Sequence, residues 1–237
     1  MAILYKEGSK GTVVKQIQRV VGCYPDGIWG KLTTEAVRTF QRDNGLTPDG
    51  VVGPATLAKL MLSVKWTGTT QTTDAQGQIG NVVLRKSKRR IDEIIVHCTA
   101  SREGQEQTVE QIRANHTAPV SKGGRGWSDI GYHYVVYLDG TVHEGRNVDI
   151  SGAHAEGHNS HSIGVVYVGG VENLPNVPYK QLKPKDTRTE AQKAALLALL
   201  MDLRRLYPDA VIIGHRDVDK HGKACPSFDA KREYSMI

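Results

Sequence analysis

Ile94-Ile95-Val96-His97 reads as a buried strand that stops on an imidazole, and Val211-Ile212-Ile213-Gly214-His215 repeats the pattern. Cys225 follows the second run closely. Two imidazoles and one thiolate brought together at strand ends make a zinc site with three protein ligands and one open position, the arrangement of catalytic rather than closed structural zinc. An open position can hold a water whose pKa the metal lowers to about 7. Taken singly, each residue has an ordinary reading: a surface histidine after a strand, or a cysteine acting as a small buried hydrophobe.

Working outward, strand-like runs cover Ile91–Val96, Tyr134–Tyr137, Ile163–Val168 and Val211–Ile213. The continuous apolar stretches among them suit central strands buried on both faces. Tyr137-Leu138-Asp139-Gly140-Thr141-Val142 is a hairpin by its Asp-Gly turn. Helical spacing appears over about Thr108–Asn115 and over Glu190–Tyr207, where Ala194, Leu197, Ala198 and Met201 share a face. Thr187-x-x-Glu190 fits a capping box for the second helix. Strands interleaved with helices predict a mixed α/β domain.

The N-terminal part is different. Pro25-Asp26-Gly27-Ile28-Trp29-Gly30-Lys31-Leu32-Thr33 recurs as Pro48-Asp49-Gly50-Val51-Val52-Gly53-Pro54-Ala55-Thr56. Pro-Asp-Gly is a turn in which Pro presets one dihedral, Asp bonds nearby amides and Gly takes positive φ. Each turn leads into a helix, with Ala36, Val37 and Phe40 on the first and Leu57, Leu60 and Met61 on the second. An earlier helix presents Val13, Ile17, Val20 and Val21. Two units are too few for a solenoid, so the reading is a small three-helix domain over residues 1–62. Residues 63–80, rich in Thr, Gly and Gln, read as a flexible linker, and residues 81–237 as the α/β domain.

The chain has 237 residues, 39% hydrophobic and 24% charged. No run approaches the roughly 18 apolar residues of a membrane span, and the start lacks the basic and apolar regions of a secretory signal. Cytoplasmic synthesis is the expectation. Cys23, Cys98 and Cys225 cannot all pair, which suits a reducing compartment. The net charge of +6 is concentrated before residue 91, chiefly in Arg85-Lys86-Ser87-Lys88-Arg89-Arg90. Such a run either attracts a polyanion or is a solvated approach to a strand. It lacks the interleaved aromatics and fold signature of a nucleic-acid binder, and nucleic acid is not expected as a partner.

The second half resembles the zinc-dependent N-acetylmuramoyl-L-alanine amidases, the group that includes amidase-type phage lysozymes and animal peptidoglycan recognition proteins. The matching stretches are Ile95-Val-His97-Cys-Thr-Ala, Gly126-Trp-Ser-Asp-Ile-Gly-Tyr132-His-Tyr, Asp139-Gly-Thr-Val-His-Glu-Gly-Arg146, Gly152-Ala-His154-Ala, Asn159-Ser-His-Ser-Ile-Gly-Val, Gly214-His215-Arg-Asp and Lys223-Ala-Cys225-Pro-Ser-Phe-Asp. They occur in family order over roughly residues 90–235. The first half resembles the small peptidoglycan-binding helical domain of wall hydrolases, through Gly11-x-x-Val14-x-x-Ile17-Gln18, the doubled Asp-Gly-x-x-Gly-x-x-Thr and Thr39-Phe40-Gln41. Together they look like a modular phage endolysin.

The resemblance implies one zinc held by His97, His215 and Cys225, with Tyr132 and Lys223 catalytic and His116, His154 and Asn159 binding substrate. It implies peptidoglycan as partner and a monomer that acts on the cell wall. The scissile bond would join the lactyl group of N-acetylmuramic acid to L-alanine. A zinc-activated water supplies the nucleophile. A cation at Lys223 and the Tyr132 hydroxyl are candidate oxyanion donors, each typically worth about 3 kcal/mol. A water, Tyr132 or a nearby histidine would protonate the leaving amine. One departure is the loop from His215 to Cys225, longer than in compact phage lysozymes. It brings His221 as a competing ligand. His133, His143, His158 and His161 are expected to stay outside the site, Cys98 to face away from the metal, and Cys23 to be a bystander. The competing class is a non-catalytic peptidoglycan sensor of the same fold.

Overall fold

The computed structural model describes residues 5–63, 78–79, 82–235 and 237. The predicted linker over 63–80 therefore falls almost wholly outside the described residues, as does the side chain of Met61. In chain order the elements begin with α1 (Thr12–Val20), α2 (Lys31–Asp43) and α3 (Pro54–Ser63). A short antiparallel pair follows, β1 (Gln78–Ile79) with β2 (Val82–Val83). Then come β3 (Glu93–Cys98), β4 (Ser101–Arg102), α4 (Val109–Thr117), β5 (Tyr134–Val136), β6 (Val142–Glu144), β7 (Ser162–Tyr167) and β8 (Gly170–Val171). The chain closes with α5 (Glu190–Leu206), β9 (Val211–Gly214) and α6 (Ala230–Glu233).

The main sheet has the order β6-β5-β7-β3-β9. Every neighbour pair is parallel except the β5–β6 hairpin. The strand predicted over Ile91–Val96 is shifted to Glu93–Cys98 because β3 lies between β7 and β9. Glu93 pairs with both Ser162 and Val211, and Cys98 pairs with Tyr167. As side chains alternate along a strand, Ile94, Val96 and Cys98 enter the core cluster that contains α5. Ile95 and His97 face the other way, Ile95 into a small cluster with Ala155 and Ile213.

Helix α5 has apolar residues all round, the mark of a helix covered on more than one side. Leu196, Leu199, Leu200 and Leu203 pack against the sheet. Ala194 and Ala198 instead join Val13, Val14, Ile17, Trp29 and Val37 of the N-terminal helices. The small side chains let α1 approach α5 closely, so the two halves share an apolar seam. The helix start also differs from the expected Thr187 box. Thr189 is the N-cap, exchanging bonds with Gln192 at 3.0 Å each way. Thr187 is buried and accepts from the Gly170 N–H at 2.7 Å instead.

The sequence repeat is reproduced atom by atom. Gln18 Nε2 donates to Asp26 Oδ1, the Ile28 carbonyl and Thr33 Oγ1 at 2.8, 3.1 and 3.0 Å. Gln41 Nε2 donates to Asp49 Oδ1, the Val51 carbonyl and Thr56 Oγ1 at 2.8, 2.9 and 3.0 Å. Each Gln Oε1 accepts the N–H of its turn glycine, Gly27 or Gly50. Both amides are buried at 1% exposure, so each turn is locked to the preceding helix by a fully satisfied polar group.

The basic run is partly structural. Arg85 pairs with Asp149 at 2.7 Å. Arg89 donates to the carbonyls of Val148, Asn159, Ser160 and Ser162. These two arginines fasten the run to the loop between β6 and β7, while Lys86, Lys88 and Arg90 face solvent.

Candidate metal centre and active site

Strand register explains why two distant histidines meet. Val96 pairs with Gly214 in the parallel β3–β9 ladder, so His97 and His215 are the next residues along adjacent strands. Their ring centroids lie 4.6 Å apart. Cys225 arrives on the segment before α6, and one ligand atom from each of His97, His215 and Cys225 lies within 4.8 Å of the others. His97 Nδ1 is 3.8 Å from Cys225 Sγ. Zinc bonds of about 2.3 Å to sulfur and about 2.1 Å to nitrogen, at a tetrahedral angle, place those atoms about 3.6 Å apart. The Cys98 N–H donates to Cys225 Sγ at 3.3 Å, a contact that favours thiolate. The donor set and its spacing fit zinc. His221 is exposed on the loop and is not part of this cluster.

A chain of hydrogen bonds behind His97 sets its tautomer. Ser162 Oγ donates to the His158 carbonyl at 2.8 Å. His154 Nε2, at 3.4 Å, then donates to Ser162 Oγ. That leaves His154 Nδ1 as the acceptor for His97 Nε2–H at 3.0 Å. The His97 Nδ1 lone pair therefore faces Cys225 and His215, the outer partner fixing the ligand ring as such partners generally do. Burial holds the His97 and His154 imidazoles well below the usual histidine range and keeps them neutral. Gly152 and Gly164 make room for the His154 ring. A Cβ at either would stand 2.4 or 2.5 Å from His154 Cδ2.

The other expected residues divide. Tyr132, just before β5, has its ring 5.1 Å from that of His97. Burial drives its phenol well above the usual tyrosine range, so it stays protonated. Lys223 Nζ is exposed and sits 3.0 Å from Asp219 Oδ1. His116 lies on the same side, its ring 5.5 Å from Tyr132 and 4.8 Å from Trp127. Its Nδ1 accepts the Gly131 N–H at 3.0 Å, and burial lowers its pKa to about 4. His154 and Asn159 do not line an open groove. His154 is 7% exposed behind His97, and Asn159 Oδ1 accepts the N–H groups of His154 and Ala155 at 2.8 and 2.9 Å. Both are placed to orient the site.

Of the residues expected outside the site, His133 is buried. It accepts the Gly164 N–H on Nδ1 at 2.9 Å and places Nε2 3.1 Å from the Ile150 carbonyl. His143 stacks on Tyr137 at 3.8 Å. Cys98 is buried and in the core cluster. Sequence reading missed Asp219, Trp127 and the Cys98 N–H. Asp219 lies four residues before Lys223, a spacing the sequence displays, but only the turned loop gives that spacing meaning.

The profile of the N-acetylmuramoyl-L-alanine amidase family matches residues 87–228, which include all three members of the His-His-Cys cluster. The chain belongs to this family. The profile of a peptidoglycan binding domain matches residues 12–60, the span of the helical repeat. An endolysin of Klebsiella phage KP32 is 40% identical over 145 residues, 61% of this chain and 86% of that protein. An endolysin of Escherichia phage T7 is 40% identical over 147 residues, 62% of this chain and 87% of that protein. Among solved structures, the Ph2119 endolysin from the Thermus scotoductus MAT2119 bacteriophage Ph2119 aligns with a TM-score of 0.45 and 31% identity, covering 62% of this amidase chain and 84% of its own.

Proposed function

We propose that His97, His215 and Cys225 hold the zinc ion with which this peptidoglycan amidase cuts the bond between N-acetylmuramic acid and L-alanine. The carrying observation is the convergence of His97 and His215, at the ends of β3 and β9, with Cys225 of the segment before α6, His97 being held in the ligating tautomer by His154. When bound, zinc supplies a Lewis acid and makes a water nucleophilic near neutral pH. The rest of the chemistry falls to side chains. Tyr132, kept protonated by burial, presents Oη–H to the developing carbonyl oxyanion. Lys223 Nζ adds a cation on the same region, and donors of this kind are typically worth about 3 kcal/mol each. His116 sits beside Tyr132 as a substrate contact: with Nδ1 accepting the Gly131 N–H, the neutral ring offers Nε2–H as a hydrogen-bond donor. The proton for the leaving amine comes from water or the Tyr132 hydroxyl. His154 and Asn159 serve substrate binding through the shape of the loop they hold. The presence of Cys225, Tyr132 and Lys223 together supports hydrolysis over binding alone.

Residues 1–62 form the wall-binding unit in this reading, residues 63–80 the connection and residues 81–237 the catalytic unit. No helix among the described residues is long and apolar enough to cross a membrane. The protein works as a monomer, made in the host cytoplasm and acting on the wall. Metal analysis of the purified protein with mass spectrometry of digested sacculi tests the proposal. Zinc together with new free L-alanine amino termini is expected. Release of reducing sugar ends, or cleavage unaffected by chelation, would refute it.

A further inference from the structure

A second constellation of metal-type donors lies at the opposite end of β3. Glu93, His158 and His161 place one ligand atom each within 4.8 Å of one another. His158 Nδ1 is 2.8 Å from Glu93 Oε2, and His161 Nδ1 is 3.8 Å from the same oxygen. Asp92 Oδ1 lies 2.6 Å from His161 Nδ1 and offers a fourth donor, its other oxygen facing Arg90 at 3.4 Å. We propose that Glu93, His158 and His161, with Asp92, form a second binding site for a divalent transition-metal ion of the zinc type, separate from the His97–His215–Cys225 cluster.

Three physical points carry the inference. The first is chemistry: two imidazoles with carboxylates suit zinc, nickel or cobalt and are poor ligands for magnesium or calcium. The second is geometry. Bonds of about 2.1 Å hold neighbouring ligand atoms about 3.0–3.4 Å apart, and the observed 2.8 and 3.8 Å bracket that span. Movements of about an ångström complete the sphere. The side chains are 17% to 38% exposed, so an ion and its waters can enter.

The third is preorganisation by the backbone. Asp92 and Glu93 N–H groups both point to the His161 carbonyl at 3.0 and 3.4 Å. Ser162 Oγ fixes the His158 carbonyl. Strand and loop thus present their donors in one register before any ion arrives. Without an ion the same groups pair as two histidine–carboxylate contacts, which hold the cluster together.

Placement suggests a role. Glu93 and His97 lie on the same face of β3, about 13 Å apart at about 3.3 Å per residue. The loop that carries His158 and His161 also carries His154 and Asn159, which set the His97 ring. An ion here clamps that loop to β3 and stiffens the support of the first site. The second site lacks a thiolate and is expected to be the weaker. It does not depend on the zinc assignment at the first site.

Zinc titration of the full chain by equilibrium dialysis, with free zinc raised after the first ion is bound, tests the proposal. Two ions per chain are expected for the wild type. Cys225→Ser should keep the weaker ion and lose the tighter one. His158→Gln with His161→Gln should keep only the tighter one. Cobalt separates the sites by colour, since only the first should give near-ultraviolet thiolate charge transfer. Glu93→Gln keeps a hydrogen-bonding partner for His158 and guards against a misfolded double variant. It should weaken the second ion at least about tenfold. A wild type that binds no more ions than His158→Gln with His161→Gln, or an ion at this site of unchanged affinity in Glu93→Gln, overturns the proposal.

Discussion

Asp219 holds Lys223 in place: Lys223 Nζ lies 3.0 Å from Asp219 Oδ1, while Asp219 Oδ2 accepts the Lys223 and His221 N–H groups. These bonds keep the Asp219 carboxyl well below the usual carboxylate range. The long loop between His215 and Cys225 is thus wound around one carboxylate. Burial first, and the positive charge of Lys223 in addition, lower the pKa of the His97 and His215 imidazoles.

Tyr132→Phe and Lys223→Ala should each lower kcat by about 10²-fold or more, with unchanged zinc content and little change in muropeptide affinity. Steady-state kinetics with metal analysis on the same preparations check this. Weaker binding at full kcat would make both residues substrate contacts instead.

Cys225→Ser should lose most of its zinc and nearly all turnover, since a neutral hydroxyl is a far poorer ligand than a thiolate. Full metal and full rate in this variant would remove Cys225 from the site. Zinc uptake should also release a proton, because the neighbouring Cys98 and burial push the Cys225 thiol up in the metal-free protein. Uptake measured in weakly buffered solution with a pH indicator reads that proton directly.

His133 should make stability fall with acid. Burial lowers its pKa from 6.5 to about 4. Below about pH 6.5 the unfolded chain takes up a proton that the folded one refuses, so stability is lost as pH falls through that window. The full gap is worth roughly 3 kcal/mol at about 1.4 kcal/mol per tenfold in proton affinity. His116 acts in the same direction and is less buried. Denaturant unfolding of wild type and His133→Asn at about pH 7 and about pH 4.5 should show a shallower pH dependence in the variant. Identical dependence would place the acid sensitivity elsewhere.

Removing residues 1–62 should slow attack on intact wall more than on soluble muropeptides, because wall binding raises local substrate concentration. It should also lower the Tm, since Ala194 and Ala198 lose their cover. Equal rates on intact wall with and without this unit would end the targeting role.

Much of this was legible in residue order. Apolar runs ending on His97 and His215 announced two buried strands that deliver candidate ligands at their ends, and the Pro-Asp-Gly repeat announced the paired turns. The parallel pairing that sets the two histidines side by side is what the structure adds. The strand boundary slipped by two residues because apolar Ile91 reads as part of the run while His97 and Cys98 do not, whereas the ladder pairs Glu93 through Cys98. The capping box was misplaced because Thr187 and Thr189 are chemically alike, and only burial beside Gly170 separates them. The support of His97 by His154 and Ser162 was not visible, since it depends on how a long loop closes over β7. Nor was the α1–α5 seam, because alanines on a helix do not reveal what covers them.

The close fit around His154 gives Gly152 and Gly164 a significance unlike that of the ligands. Two added methyl groups, pressed against the His154 ring rather than against His97, His215 or Cys225, would be enough to displace the ring that orients His97. Every ligand would then be retained in a chain whose metal site had lost its alignment. Sorting related sequences into working hydrolases and mere receptors by their His-His-Cys set alone would misplace such a chain, and these two glycines belong in the criterion.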